Sequence, residues 1–188
     1  AVGLMTGTAL DGNVDVALLK TDGDDILALG AQALEPYPAE VTRLLRQAMA
    51  EAAAWNFTGP EPAIFREAEE ALTRAQAAAV MAVLGRESID PAKVSVIGFH
   101  GQTVLHRAAT SARIGASRQL GDGMLMARLT GIATVNDFRG ADIAAGGQGA
   151  PLAPVYHRAL LRHIGAGAGS ALNDTTREIG GTLGVLFS

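Results

Sequence analysis

The spacing of apolar positions changes several times along the chain, and each change marks an element. Ala1-Val2-Gly3-Leu4-Met5 and Val14-Asp15-Val16-Ala17-Leu18-Leu19 are short apolar runs separated by the polar, glycine-bearing residues 6–12, and read as two strands joined by a tight loop. Thr21-Asp22-Gly23-Asp24-Asp25 is a turn signal, after which Ile26-Leu27-Ala28-Leu29 returns as a third strand of an antiparallel meander. From residue 39 the period changes: Val41, Leu44, Leu45, Ala48 and Met49 share one helix face. Gly59, Pro60 and Pro62 break that helix, and Ile64, Ala68, Ala71, Leu72, Ala75, Ala79, Ala82 and Val83 carry a longer one to Gly85, with an alanine-rich face suited to close packing.

Asp90-Pro91 predicts a capped single turn, and Val94-Ser95-Val96-Ile97-Gly98-Phe99 is nearly continuous in apolar character, as a buried parallel strand is. It ends at His100-Gly101-Gln102-Thr103. A loop then leads to Gly121-Asp122-Gly123, a helix over residues 124–129 and a buried strand over residues 132–135 that ends in Asn136-Asp137-Phe138-Arg139. A glycine-rich stretch over residues 144–151 precedes a helix over about residues 152–163. The order βββ, helices, β, α, β, α predicts an α/β fold, and no repeat with a solenoid's period is visible.

Composition narrows the function classes. The chain has 188 residues, 48% hydrophobic and 18% charged, enough for one sizeable core or one domain with part of another. With 15 Lys+Arg against 19 Asp+Glu, a net charge of −4 and no basic block, nucleic-acid binding has no electrostatic support. The absence of cysteine excludes disulfides, thiolate metal sites and a cysteine nucleophile. No apolar run approaches the roughly 18 residues of a membrane span and no leader pattern is seen, so a cytoplasmic protein with no membrane partner is expected. The glycine- and alanine-rich residues 165–170 suggest a domain boundary, and residues 181–186 start what reads as a further strand. The expected division is therefore a domain over residues 1–164, followed by residues 165–188 as a linker and the start of a truncated second domain.

Three polar loops fall at strand ends, where loops of an open α/β sheet converge on a ligand. In the first, Thr6-Gly7-Thr8-Ala9-Leu10-Asp11-Gly12, glycine admits a phosphate to the backbone N–H groups, the threonine hydroxyls can donate to it, and Asp11 suits a hydrated Mg²⁺. The same residues also suit a hairpin whose Thr and Asp bond their own backbone. No Gly-Lys-Ser/Thr tail follows, which excludes a P-loop. In the second loop, His100 and Gln102 would point the same way on an extended chain and present an imidazole and an amide to a hydroxyl-rich ligand. In the third, over residues 137–151, Arg139 suits an anionic substrate group, and Asp137 or Asp142 can orient a hydroxyl or hold that arginine. Gly146-Gly147-Gln148-Gly149 just before a helix suggests N–H groups offered to an anion; an Arg–Asp brace at the helix entry is the competing reading. His106, His157 and His163 show no partner pattern, and Asp22, Asp24 and Asp25 read as a solvated turn rather than a calcium loop.

With these loops in place the chain resembles the 1,6-anhydro-N-acetylmuramic acid kinases of bacterial cell-wall recycling. The matching stretches are Gly3-Leu4-Met5-Thr6-Gly7-Thr8-Ala9-Leu10-Asp11-Gly12, Ile97-Gly98-Phe99-His100-Gly101-Gln102-Thr103-Val104, Gly121-Asp122-Gly123, and Asp137-Phe138-Arg139 with Asp142 and residues 144–152, in register over residues 1–164. The resemblance implies an RNase H-like half of an actin/hexokinase-like fold, with a βββαβαβα core. It implies ATP and Mg²⁺ as cofactors and a reaction that opens the anhydro bridge and phosphorylates O6. Gly7, Thr8, Ala9, Leu10, Asp11, Gly12 and Asp15 would face ATP, with Asp11 holding Mg²⁺ through water. His100, Gln102, Arg139, Asp142, Gly146 and Gly147 would face the sugar, whose lactyl carboxylate suits an arginine. Asn13 is an extra residue relative to the family pattern. The family's catalytic aspartate and its adenosine-binding glycines belong to a second half with no counterpart in this sequence, so no catalytic base is assigned here and the chain alone is expected to be inactive. The partners expected are the anhydro-amino sugar and ATP, with a homodimer left open. A non-catalytic actin-like ligand-binding or regulatory module is the alternative.

Overall fold

Strand β1 (Val2–Met5) is the hub of the sheet: it pairs antiparallel with β2 (Asn13–Thr21) on one side and parallel with β4 (Ile97–Phe99) on the other. β3 (Ile26–Pro36) lies beyond β2, and β7 (Thr134–Asn136) runs parallel beside β4, so the five strands are ordered β3-β2-β1-β4-β7. A computed structural model describes residues 1–6 and 10–165. Gly7, Thr8 and Ala9, the strand expected over residues 181–186 and most of the expected boundary segment lie outside the described residues.

The register puts Val2, Leu4, Val16, Ile97 and Phe99 on one face, and each is almost fully buried. That face joins the apolar sides of α1 (Ala39–Trp55) and α2 (Ile64–Arg86) in one core, where Leu45, Ala48, Leu72 and Val80 are inaccessible. Alanines at 48, 52 and 68 let the two helices approach closely, as the alanine-rich spacing predicts. α1 stops at Asn56, which takes the left-handed conformation at φ 45°. The turn at Pro91–Lys93 is capped as expected by the Asp90 carboxylate, which accepts from the Ala92 N–H at 2.9 Å.

Several expectations are corrected. β4 begins at Ile97 rather than at residue 94, and β3 continues to Pro36. The loop expected after residue 103 is instead a hairpin of β5 (Gln102–Arg107) and β6 (Ala116–Leu120). Its sequence hides the period of two because a bulge at Val104 shifts the register, and because polar side chains on it are bonded to neighbouring elements. α3 (Gly123–Thr130) fits its expected place, with Asp122 as N-cap and Gly131 as αL terminus. The start of the third loop is in fact a helix, α4 (Phe138–Ala144), capped by Asp137 through the Gly140 N–H at 3.2 Å. Gly140 conceals this helix from propensity, yet a Cβ there would lie 2.4 Å from the Asp137 carboxylate. The cap demands the glycine.

α5 (Ala153–Ile164) follows. The chain divides into one compact unit of residues 1–19 and 30–150 and a second that comprises residues 20–29 and those from 151 onward. Within the second, Arg162 pairs with Asp25 at 2.7 Å, and Asp22 accepts the Asp24 and Asp25 N–H groups in the solvated turn expected there. Among the described residues no helix is long and apolar enough to cross a membrane.

The corner between β4 and β5 depends on Gly101, at φ +67°, where a Cβ would lie 2.0 Å from the Leu120 carbonyl oxygen. Gly131 has a similar φ of +72° with open space around it. Gly131→Ala is therefore expected to cost about 1 kcal/mol from backbone strain alone, and Gly101→Ala at least about 3 kcal/mol. Thermal denaturation of the two variants checks this; equal losses would contradict it.

Candidate functional site

Because β1, β4 and β7 run parallel, their carboxyl ends open at one edge of the sheet, at Thr6, His100 and Asp137. The loops that leave them are joined by hydrogen bonds. The Thr6 hydroxyl donates to the Gly101 carbonyl oxygen at 2.9 Å, tying the end of β1 to the end of β4. The Gln119 amide, 7% exposed on β6, donates to the His100 carbonyl at 3.0 Å and accepts the Arg139 N–H at 3.2 Å. The convergence expected from the sequence is thus present in the first unit.

Helix α2 supports this edge with three side chains on one face. Glu69 accepts the Gly121 N–H at 2.9 Å and pairs with Arg118 at 3.1 Å. The Thr73 hydroxyl accepts the Asp122 N–H at 3.1 Å. The Gln76 amide donates to the Thr6 hydroxyl at 3.2 Å and to the Tyr37 hydroxyl. Thr73 and Gln76 have no solvent exposure. None of the three, nor Tyr37 or Gln119, lies in a loop or motif that the sequence marks. The available signal was a polar residue where the helix period demands an apolar one: Gln76 stands four residues from both Leu72 and Val80, each inaccessible.

The first loop closes an antiparallel hairpin, as one of the two readings of its residues held, with Asp11 accepting the Asn13 N–H at 3.0 Å. Leu10 is buried with φ 46°, and the Gly12 carbonyl accepts the Tyr37 N–H at 2.6 Å. Asp15 faces Met5 across the pair. Desolvation, and then the charge of Asp11, push the Asp15 carboxyl above its usual range. A hydrated Mg²⁺ takes one or two carboxylates and fills its other positions with water and phosphate oxygens, and Asp11 and Asp15 are the carboxylates this hairpin offers.

In the second loop, the left-handed Gly101 removes the extended geometry that was expected to align His100 with Gln102. Both nevertheless present acceptors. The His100 Nδ1–H donates to the Gly101 carbonyl at 3.0 Å, leaving Nε2 as a lone-pair acceptor, buried and without a partner among the described residues. Gln102, 1% exposed, donates through Nε2 to the Thr103 carbonyl at 3.2 Å, and its Oε1 is likewise buried without a partner among the described residues. Two orphaned acceptors at one corner suit a ligand that brings hydroxyl donors.

In the third loop, Arg139 is 8% exposed and bonds inward, through Nη1 to the Gly149 carbonyl at 2.8 Å and through Nε to the Thr103 hydroxyl at 3.3 Å. Asp142 accepts the Gly149 N–H at 2.7 Å. The glycine amides expected to await an anion are engaged within the loop: Gly146 N–H bonds the Ile143 carbonyl at 3.0 Å and Gly147 N–H the Asp142 carbonyl at 2.8 Å. A Cβ on Gly147 would meet the Asp142 carboxylate at 2.1 Å. The loop is glycine-rich because it wraps this side chain.

Burial, outweighing its bond to Gly101, pushes the His100 imidazole below its ordinary pKa of 6.5, and the nearby Arg139 charge acts in the same direction. His100 should therefore be mostly neutral, with the proton on Nδ1, at pH 6.5, where an unperturbed histidine is half protonated. Because the folded pKa is depressed, the associated stability is present above the unfolded value of about 6.5 and is lost as the pH falls through the folded value. Long-range ¹H–¹⁵N NMR of the ring checks the protonation state; a half-protonated His100 at that pH would contradict it.

A sequence model of the anhydro-N-acetylmuramic acid kinase family matches residues 1–181. The chain is 62% identical over 172 residues to the anhydro-N-acetylmuramic acid kinase of Brucella anthropi, covering 92% of this chain and 46% of that protein. It is 56% identical over 188 residues to that of Rhizobium rhizogenes, covering all of this chain and 50% of that protein, and 59% identical over 166 residues to that of Mesorhizobium japonicum, covering 88% and 45%. The chain spans about half the length of the curated relatives it matches. From its fold, its joined loops and these identities, the chain belongs to the anhydro-N-acetylmuramic acid kinase family.

Proposed function

We propose that a family-length protein containing this chain uses ATP and Mg²⁺ to phosphorylate 1,6-anhydro-N-acetylmuramic acid at O6 while its anhydro ring is opened by water, giving N-acetylmuramic acid 6-phosphate for cell-wall recycling in the cytoplasm. The observation that carries the reading is the joining of the first and second loops at one sheet edge by the Thr6–Gly101 hydrogen bond, in a chain of this family. The antiparallel meander followed by two parallel strands supports an RNase H-like half of an actin/hexokinase-like fold over residues 1–164, with residues 165–188 leading toward a second domain.

Residues 7–12 and Asp15 form the nucleotide side, with Asp11 the carboxylate that holds Mg²⁺ through water. Bound Mg²⁺–ATP would supply the transferable phosphoryl group and neutralise its charge. On the sugar side, His100 Nε2 and Gln102 Oε1 accept ligand hydroxyls, Gly146 leaves open space, and Gly147 admits the Asp142 carboxylate that shapes the loop. Arg139 holds the loop that carries Gly149 and attracts the lactyl carboxylate. Of the carboxylates in these loops, Asp137 caps α4, Asp142 holds Gly149, and Asp11 is assigned to the metal. The family resemblance implies a base in the half of its members that this chain does not span, so this chain alone should not turn over.

Incubation of the family-length protein with the anhydro-sugar and ATP should yield the 6-phosphate and ADP by mass spectrometry. A folded protein that yields neither would favour a non-catalytic binding module. Residues 1–188 alone should release no ADP above background; release that disappears in Asp137→Asn or Asp142→Asn would place the base within this half. In the family-length enzyme, Arg139→Ala should raise KM for the sugar by about ten- to two-hundredfold, the effect of losing roughly 1.5–3 kcal/mol of charge-assisted hydrogen bonding, with KM for ATP unchanged. Equal loss toward both substrates would make Arg139 a brace only.

A further inference from the structure

Gln76 is the most buried amide in the first unit that the proposed reaction does not use. Its side chain has no solvent exposure, and it lies on the core face of α2 between Leu72 and Val80. Both Nε2 protons are committed, one to the Thr6 hydroxyl at 3.2 Å and one to the Tyr37 hydroxyl. The Thr6 hydroxyl donates its own proton to the Gly101 carbonyl at 2.9 Å. Meanwhile Gln76 Oε1 is buried with no partner among the described residues.

That orphaned acceptor bears on what Gln76 is for. A buried amide oxygen without a partner costs stability, whereas a leucine at the same place would continue the apolar stripe. Packing alone would not select glutamine here. What the glutamine adds is a fixed orientation for Thr6, the residue immediately before residues 7–9, and through Thr6 a fixed position for Gly101, which stands between His100 and Gln102. We propose that Gln76, held in turn by Tyr37, is a positioning residue: by donating to the Thr6 hydroxyl it holds the nucleotide loop and the sugar loop at one separation. The inference rests on the assignment of those loops made above. Phosphoryl transfer depends on the alignment of donor and acceptor, so loosening the separation lowers the rate more than it weakens the binding of either substrate.

The test uses the family-length enzyme with Gln76→Leu, Thr6→Val and Thr6→Ser, each checked for folding by circular dichroism and thermal denaturation. Gln76→Leu and Thr6→Val should each lower kcat at least tenfold with KM for ATP and sugar within threefold of wild type, and Thr6→Ser, which keeps the hydroxyl, should retain kcat within threefold. The double variant should lose no more than the worse single one, because both break the same link. A kcat within twofold of wild type in Gln76→Leu overturns the inference, whatever its melting temperature, and so do losses that multiply in the double variant. A folded wild-type enzyme with no turnover overturns the functional reading itself, and this inference with it; the wild-type assay keeps the two failures apart.

Discussion

The fold depends on one constraint: three parallel strands end at a single edge, and the backbone polar groups brought together there must find partners without closing the edge to a ligand. Backbone groups at strand ends cannot all be satisfied within the sheet, and a buried one left unpaired costs as much as a lost hydrogen bond. Helix α2 meets this by carrying Glu69, Thr73 and Gln76 on a face that would otherwise be apolar. Glu69 and Thr73 reach the loop before α3, through the Gly121 and Asp122 amides, and Gln76 reaches the Thr6 hydroxyl at the end of β1. One rigid element thus sets the position of the end of β1 and the entry to α3, and through Thr6 the corner after β4.

The charged groups follow the same logic at lower cost. Arg118 is partly buried between Glu61 and Glu69, with ion pairs at 2.8 and 3.1 Å, and it stacks near Phe65, so its charge is compensated where solvent is scarce. The exposed pairs Arg43–Glu40 and Arg74–Glu70 on the outer helix faces add little to stability. Arg139 bonds a carbonyl and a hydroxyl of the loops it gathers, and its burial disfavours the charge.

Much of this was legible from pattern. The first three strands, α1 and α2, the Asp90 cap and α3 follow from period, turn chemistry and glycine placement, because each buries one face against a common core. The hairpin after Gln102 was not legible, since the bulge at Val104 and polar residues such as Gln119 and Arg118 erase the alternation. Nor was α4, where the Asp137 cap requires a glycine that argues against a helix. The site followed the same rule. Strand ends announce themselves by glycine and polar clusters, so residues 6–12, 100–103 and 137–149 stand out as candidates, although the last opens with helix α4 rather than a loop. The residues that hold them, Gln76 and Gln119, act across 70 and 20 positions of sequence and leave only an out-of-place polar side chain as a trace.

Whether the first and second loops form the two sides of one site, as proposed, is answered by a crystal structure of the family-length protein with the anhydro-sugar and a non-hydrolysable ATP analogue. Sugar hydroxyls should donate to His100 Nε2 and Gln102 Oε1, phosphates should lie against residues 7–12, and the Thr6–Gly101 hydrogen bond should stay intact between them. A sugar bound away from His100 and Gln102, with their acceptors filled by ordered water, would contradict the proposal.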